Sequence, residues 1–346
     1  TTTFRIYKTI VEMDSSKNSG GATEVANYLA AEFSRAGFPE QDVEVIPVAQ
    51  TSALVVKYRG KADSSHSPIL FLGHMDVVEA LAKDWERPPF TLTQDKGYFF
   101  GRGTLDNKFG IAQISGTFIA LKKAGYVPDR DLIIAFSGDE ESGMQSTRYL
   151  ARRADLLKAD YAINTDAGGG VLTDDASAVV YRVQAAEKTY VTFEVEVKNP
   201  GGHSSRPRLD NAIYELADAL KAVQALRFPV MHTPMTLNYL QQTGQLTGGS
   251  TGKALMTFAN NPQDKAAADT LFSMPEYVGT TRTTCVATML GGGHAENALP
   301  QSAKATVNCR VFPGSEVQEV KATLQKAIAN DNVSITTLTD YIESPV

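Results

Sequence analysis

Four segments of this sequence set His or carboxylate residues at the ends of short apolar runs. In GHMD, His74 closes one run and Asp76 lies two residues on, which in an extended chain puts both side chains on one face. A carboxylate beside a ligating imidazole fixes its tautomer and raises its basicity. Alone, the pair is also what a strand-end His with a capping Asp looks like. Asp106 sits in GRGTLDNKFG, between Gly and Asn residues that tolerate unusual backbone angles. A carboxylate that must face two cations at once needs such a loop. In SGDEESG, Asp139, Glu140 and Glu141 stand together, and adjacent carboxylates repel unless positive charge offsets them. A metal ion is the usual source of that charge; a solvated acidic turn is the alternative. Asp166, in NTDAGGG, closes the fourth run against a Gly run that lets the backbone approach closely. Together the four point to a metal centre of mixed N and O donors, which suits zinc, with cobalt or manganese as substitutes.

The elements that must position these residues alternate between strand and helix in the first half, as in an α/β domain with helices on a mainly parallel sheet. Val25, Leu29 and Phe33 recur at helical spacing within Gly21 to Ala36, and Ile111 to Lys123 reads as a second helix. Short buried strands are expected at Ala53 to Tyr58, Ile69 to Leu72, Leu132 to Phe136 and Tyr161 to Ile163. The candidate ligands follow these strands, where open α/β sheets place their ligands. At Thr189 the pattern changes: Val191, Phe193, Val195 and Val197 alternate with Thr192, Glu194, Glu196 and Lys198, as in a half-exposed antiparallel strand. A helix from Asn211 to Leu226, an irregular stretch from Pro229 to Gly279, strands near Thr283 to Met289 and Ala303 to Phe312, a helix over Ser315 to Ala329 and a strand at Val333 to Leu338 complete a two-layer ferredoxin-like order. The expected domains are thus residues 1–188 and 189–340, the second enlarged by an insertion over 229–279. The piece TGGSTGKA in that insertion lacks the first Gly and the Ser/Thr of a phosphate loop and reads as a flexible turn.

A length of 346 residues fits two cores, at roughly 150 residues per domain. Hydrophobic content of 42% with 21% charged residues is that of a soluble globular protein, and the apolar runs are too short to span a bilayer. A net charge of -6 and a pI near 5.5 argue against nucleic acid, whose binding needs clustered Lys and Arg. Cys285 and Cys309 have no CxxC spacing and read as buried free thiols. The compartment stays open between cytoplasm and periplasm or exterior.

In this order, GHMD, GRGTLDNK, GDEESG, NTDAGGG, GGHSSRP and NALP followed by NCR, the sequence resembles along its whole length the dinuclear zinc exopeptidases and deacylases. That family includes glutamate carboxypeptidase, carnosinase, aminoacylase, acetylornithine deacetylase and succinyl-diaminopimelate desuccinylase. The resemblance implies a mainly parallel-sheet zinc-peptidase catalytic domain with an inserted α+β lid and dimerisation domain. It implies two zinc ions, with His74 and Asp166 on one, Glu141 on the other and Asp106 bridging. Asp76 would orient His74. Glu140 would be the general base, taking a proton from a water that bridges cations roughly 3.5 Å apart. His203 would reach across a homodimer to the partner's reaction centre and supply a donor for the developing oxyanion. Asn297 and Arg310 would bind the substrate's terminal carboxylate, a role for which the Arg fork is suited. His294, near Asn297, gets no role beyond lining the cleft.

One part of the pattern is missing. The family's second metal takes a His near the C-terminus, whereas the last His here is His294. About a hundred further residues of catalytic domain are therefore expected after residue 341, on the scale of ordinary domains. Three readings compete: a metallopeptidase of carboxypeptidase or dipeptidase type, an N-acyl-amino-acid deacylase with the same centre, and a binding protein that kept the fold without the chemistry. Asp166 favours the first, since the resemblance associates Asp there with dipeptidase-like members, and the retained Glu140 counts against the third.

Overall fold

The computed structural model describes residues 1–17, 19–166, 169–172 and 179–345. The chain divides into two compact units, Thr1–Gln184 and Ala185–Val346. Among the described residues no helix is long and apolar enough to cross a membrane.

In the first unit, helices α1 (Thr2–Val11) and α2 (Gly21–Arg35) precede strands β1 (Val43–Val48), β2 (Thr51–Tyr58) and β3 (Ile69–His74). A small hairpin of β4 (Thr93–Asp95) and β5 (Tyr98–Phe100) leads to α3 (Lys108–Lys123), β6 (Leu132–Ser137), the short α4 (Gln145–Leu150) and β7 (Tyr161–Asn164). A second hairpin, β8 (Gly169–Leu172) with β9 (Val179–Arg182), ends the unit. The main sheet has the order β1-β2-β6-β3-β7. β6, β3 and β7 pair in parallel, while β2 is antiparallel to both β1 and β6, so four of the five strands run the same way. Alternation along the strands divides the core between two faces. Leu54, Val56, Ile134 and Phe136 pack with Ile6, Ile10, Val25, Leu29, Phe33 and Ile111 of the helices, whereas Ala53, Val55, Ile133 and Ala135 pack with Leu150 and Leu156.

β7 departs from the expected buried strand. Among the described residues it pairs only with β3, and it is exposed along its length, with Tyr161 at 53% and Ile163 at 45%. An apolar run marks a strand but not whether both its edges and faces are covered.

In the second unit, β10 (Thr189–Lys198), β11 (Gly202–His203) and α5 (Ala212–Ala225) come first. They are followed by α6 (Pro234–Thr247), α7 (Gly249–Asn260), α8 (Lys265–Phe272) and α9 (Pro275–Val278). Then come β12 (Thr284–Gly292), β13 (Ala298–Leu299), β14 (Ser302–Val311), α10 (Val317–Ile328) and β15 (Val333–Thr337). The sheet order β12-β14-β10-β15, all antiparallel, is the ferredoxin-like arrangement. One face carries Val191, Phe193, Val195, Val197, Val307 and Val311 against Leu216, Val223, Val320 and Leu324 of α5 and α10.

Three expectations for this unit fail. Residues 229–279 are mostly helical, with a separate core of Leu240, Leu255, Phe258 and Leu271. Of TGGSTGKA only Gly248 lies between helices: Thr247 ends α6, and Gly249 to Ala254 begin α7. Gly252 is there for close packing, because a Cβ on it would collide with the carbonyl oxygen of Gly244 in α6. Nor are Cys285 and Cys309 free: they form a disulfide. They stand directly opposite each other on β12 and β14, a pairing set by strand register and not by their separation of 24 residues.

The first two helices are clasped by a bidentate ion pair. Arg5 donates to both oxygens of Glu32 at 2.6 Å, and Arg35 bonds the same carboxylate, whose side chain is only 5% exposed. The Arg5 bonds, working against burial, hold Glu32 below its ordinary value of 4.5. Glu32→Gln is expected to cost about 1–2 kcal/mol in urea unfolding at neutral pH. Since the folded value is the lower one, this contribution is complete above pH 4.5 and fades as pH falls through the folded value. A loss that persists undiminished in acid would refute it.

Candidate metal centre

β3, β6 and β7 lie side by side and parallel, and the residues just beyond their carboxyl ends converge. His74, the last residue of β3, is 2% exposed. Its Nδ1 lies 3.0 Å from the Asp76 backbone carbonyl, an acceptor only, so Nδ1 carries the proton and Nε2 faces the centre. Nε2 is 2.8 Å from Asp106 Oδ1 and 3.4 Å from Asp166 Oδ1. His74, Asp106 and Asp166 offer ligand atoms all within 4.8 Å of one another, and so do His74, Glu140 and Glu141. The structure thus gathers the four expected carboxylates, Asp106, Glu140, Glu141 and Asp166, around the His74 imidazole. Glu141 groups with Glu140 and His74, and Asp106 with Asp166 and His74. Of the Gly run after Asp166, Gly168 lies outside the described residues.

The electrostatics fit a cation. Burial opposes charge on His74, yet Asp166 and then Asp76 outweigh it and raise the imidazole to about 11 when protein groups alone are counted. Asp106 is nearer than Asp166 but more exposed, 57% against 30%. A second proton would sit on Nε2 among these carboxylates, in the position a divalent ion would take. Burial first, then the surrounding carboxylates, push Glu140 and Glu141 up, while His74 pulls Asp166 down. Beside Glu140 and Asp166 opens a hollow of about 290 Å³ with walls of Leu70, Leu72, Leu150 and Leu156.

Asp76 takes a different position from a simple His partner. Its carboxylate is 3.5 Å from His74 Nδ1, and it accepts the backbone N–H groups of Glu140 and Glu141, each at 3.0 Å. It therefore fixes the loop that carries both glutamates. Asp139 turns away from the centre: it accepts from the backbone N–H groups of Gln145 and Ser146 at 2.7 and 2.9 Å and from the Ser146 hydroxyl, capping α4.

Asn107 and Lys108 do more than flank Asp106, although their place beside it is the only mark they carry in the sequence. Both are fully buried. Asn107 Oδ1 accepts from the Thr165 hydroxyl at 3.1 Å and from the His74 backbone N–H at 3.4 Å, tying the loop to two strand ends. Lys108 Nζ donates to the Met13 carbonyl at 2.7 Å, and burial lowers it to about 7. Gly110 allows this packing, since a Cβ there would collide with the Thr165 side chain. The Asp106–Asn107 peptide is cis.

The remaining candidates belong to the second unit. His203 pairs with Ala298 through β11 and β13, and the Ser204 N–H donates to the Asn297 carbonyl at 3.0 Å, which sets His203 and Asn297 side by side. His203 Nδ1 bonds the Ser205 hydroxyl at 2.8 Å. Arg310 is on the open face of β14, its guanidinium 4.6 Å from the centre of the Tyr190 ring, and no described hydrogen bond joins it to His203 or Asn297. His294 is exposed beside Glu296 in an open depression that Asn211 and Tyr214 also line.

Residues 70–298 match the model of peptidase family M20/M25/M40. The chain is 28% identical over 322 residues to a probable carboxypeptidase S-like 2 of Dictyostelium discoideum, covering 90% of this chain and 61% of that protein. It is 30% identical over 299 residues to the N-fatty-acyl-amino acid synthase/hydrolase PM20D1 of Xenopus tropicalis, covering 82% and 56%. Among solved structures it is similar to the M20 metallo-carboxypeptidase Sso-CP2 of Sulfolobus solfataricus, with a TM-score of 0.64 at 17% identity, covering 98% and 79%. Human carnosine dipeptidase 1 gives a TM-score of 0.62 at 16% identity, covering 99% and 77%. The chain thus spans about three fifths of the length of the curated relatives.

Asp76→Asn would turn an amide N–H toward one of the two backbone donors. The expected result is a stability loss of about 1–3 kcal/mol and zinc affinity lower by about 10–100-fold. Calorimetric titration with zinc checks this, and unchanged affinity would show that Asp76 does not set the ligand geometry.

Proposed function

Since this chain belongs to peptidase family M20/M25/M40, we propose that it carries the catalytic machinery for metal-dependent hydrolysis of an amide bond in small peptides, of carboxypeptidase or dipeptidase type. The observation that carries this reading is the convergence of Asp106, Glu140, Glu141 and Asp166 on His74. His74, Asp106 and Asp166 would hold one divalent cation and Glu141, with Asp106, a second; zinc suits these donors, with cobalt or manganese as substitutes. Bound cations supply Lewis-acid polarisation of the scissile carbonyl and lower the proton affinity of water.

The protein groups account for the proton transfers. Glu140, raised by burial and held beside the centre through its N–H bond to Asp76, removes a proton from the attacking water as the oxygen adds to the carbonyl carbon. It then delivers that proton to the nitrogen as the C–N bond breaks. His203 would donate to the developing oxyanion across a homodimer, and Asn297 and Arg310 would receive the substrate's carboxylate. Glu140→Gln is expected to lower kcat about 10²–10⁴-fold with metal content unchanged; full activity in the metal-loaded variant would remove Glu140 from this role.

A second reading, hydrolysis of N-acyl amino acids at the same centre, draws support from the apolar hollow beside Glu140 and Asp166 and from the likeness to an N-fatty-acyl-amino acid synthase/hydrolase. Comparing a dipeptide with the matching N-acetyl amino acid separates the two, and faster turnover of the acetyl compound would put deacylation ahead of peptide cleavage.

A dimer through the second unit draws support from β12. It is a sheet edge with Val286, Met289 and Leu290 exposed at 60%, 69% and 73%, beside an apolar groove lined by Ile213, Leu216 and Leu220. The Cys285–Cys309 disulfide supports a compartment in which disulfides persist. Native mass spectrometry tests both. The expected species is a dimer that becomes monomeric in Leu290→Lys, each chain lighter by the mass of two hydrogens than its reduced form. A wild-type monomer would refute the first inference and reduced cysteines in protein from its own host the second.

A further inference from the structure

On the open face of the second unit's sheet, Tyr190, Arg310 and Thr284 lie in one row across β10, β14 and β12. Arg310 leans over the Tyr190 ring. Lys188, two residues before Tyr190, reaches across the end of β14 to the far strand. There its Nζ is 3.2 Å from the Arg282 carbonyl and 3.4 Å from Thr284 Oγ1, and it rests against Gly279, where an added Cβ would be 3.3 Å away. Arg310 is thus flanked by Tyr190 on one side and by the ammonium of Lys188 on the other. Among the described residues neither cation has an ion-pair partner.

Holding these charges together has a cost. Burial, and then the neighbouring Arg310, lower Lys188 to about 8. Two cations kept side by side, one of them half-buried and anchored only to neutral oxygens, would be relieved by an anion shared between them. A Lys serving only to tie the start of β10 to the 279–284 segment needs no Arg beside it.

We propose that Lys188 is the second cation of a carboxylate-binding site anchored by Arg310, and a specificity-determining residue for amides whose substrate carries a free carboxylate. This rests on the reading of Arg310 as a carboxylate receptor, and it adds a residue to which no role has so far been assigned. Arg310 supplies the planar fork and Lys188 a point charge beyond it.

The test uses the full chain and needs neither metal nor turnover. Binding of N-acetylglycine and of its neutral amide, N-acetylglycinamide, is followed by ligand-observed NMR in the presence of a chelator, so that added acid does not report on the His74 cluster. The wild type is expected to prefer the acid. Lys188→Gln, which keeps a neutral donor for the Arg282 carbonyl, should weaken the acid about tenfold and leave the amide unchanged, as befits the loss of one charge-assisted bond. Lys188→Arg should restore most of the preference. Acid binding within about twofold of wild type in Lys188→Gln, acid and amide weakened together, or no acid preference in the wild type would each overturn the proposal. Should Lys188→Gln fail to fold, Thr284→Val, which removes one anchor of Nζ, should reduce acid binding alone, and an unchanged preference there would count against Lys188. Arg310→Gln tests the underlying reading separately: acid binding should fall with the amide unchanged, and unchanged acid binding would remove Arg310 as the anchor whatever Lys188→Gln shows.

Discussion

The carboxylate of Asp76, 3% exposed, accepts the backbone N–H groups of Glu140 and Glu141, and the geometry of the centre depends on that pair of bonds. A buried carboxylate is tolerated only when donors satisfy it, and here the donors come from the loop that must be placed. One group thereby links the end of β3, through the contact of Asp76 with His74, to the end of β6, where the glutamates stand. On the other flank Asn107 does the same with neutral bonds, joining the Asp106 loop to Thr165 and thus to the segment bearing Asp166. The first ring of residues supplies negative charge; the second holds it in place against its own repulsion.

The sheet makes this economical. β6, β3 and β7 run parallel, so their carboxyl ends, and the loops that follow, open at the same edge. Parallel pairing of sequence-distant strands is why residues 74, 140 and 166 meet. Glu140 has one wall of leucines and another of carboxylates, and both favour a proton on it. That suits the proton-transfer role proposed for Glu140.

The second unit divides its labour between two faces. The face under α5 and α10 is filled with Val, Phe and Leu, leaving the other to polar and charged side chains such as Arg310, Asn308 and Thr192. Antiparallel sheets permit this because burial of one face is enough to stabilise them. The edge strand β12 carries the disulfide to β14 near one end and exposed apolar residues near the other.

The sequence by itself determined the candidate site residues and most elements. His74, Glu140, Glu141 and Asp166 were legible because ligand types recur at the ends of apolar runs and Asp106 because it sits in a loop rich in Gly and Asn, while the alternation of β10 and the periodicity of α2 fixed their buried faces, since both periods follow from backbone geometry alone. What only the tertiary structure decided depends on contacts between distant segments. The pairing of Cys285 with Cys309 follows from register across β12 and β14, and the helical glycines of α6 and α7 look like turn residues until the two helices are seen in contact. The exposure of β7 reflects what lies beside it, which its apolar residues cannot report. The same holds for Asp76: its spacing from His74 gave the neighbour, but its work on Glu140 and Glu141 requires a strand end sixty-odd residues away, and hydrogen-bond acceptors carry no mark in sequence of the donors that will reach them.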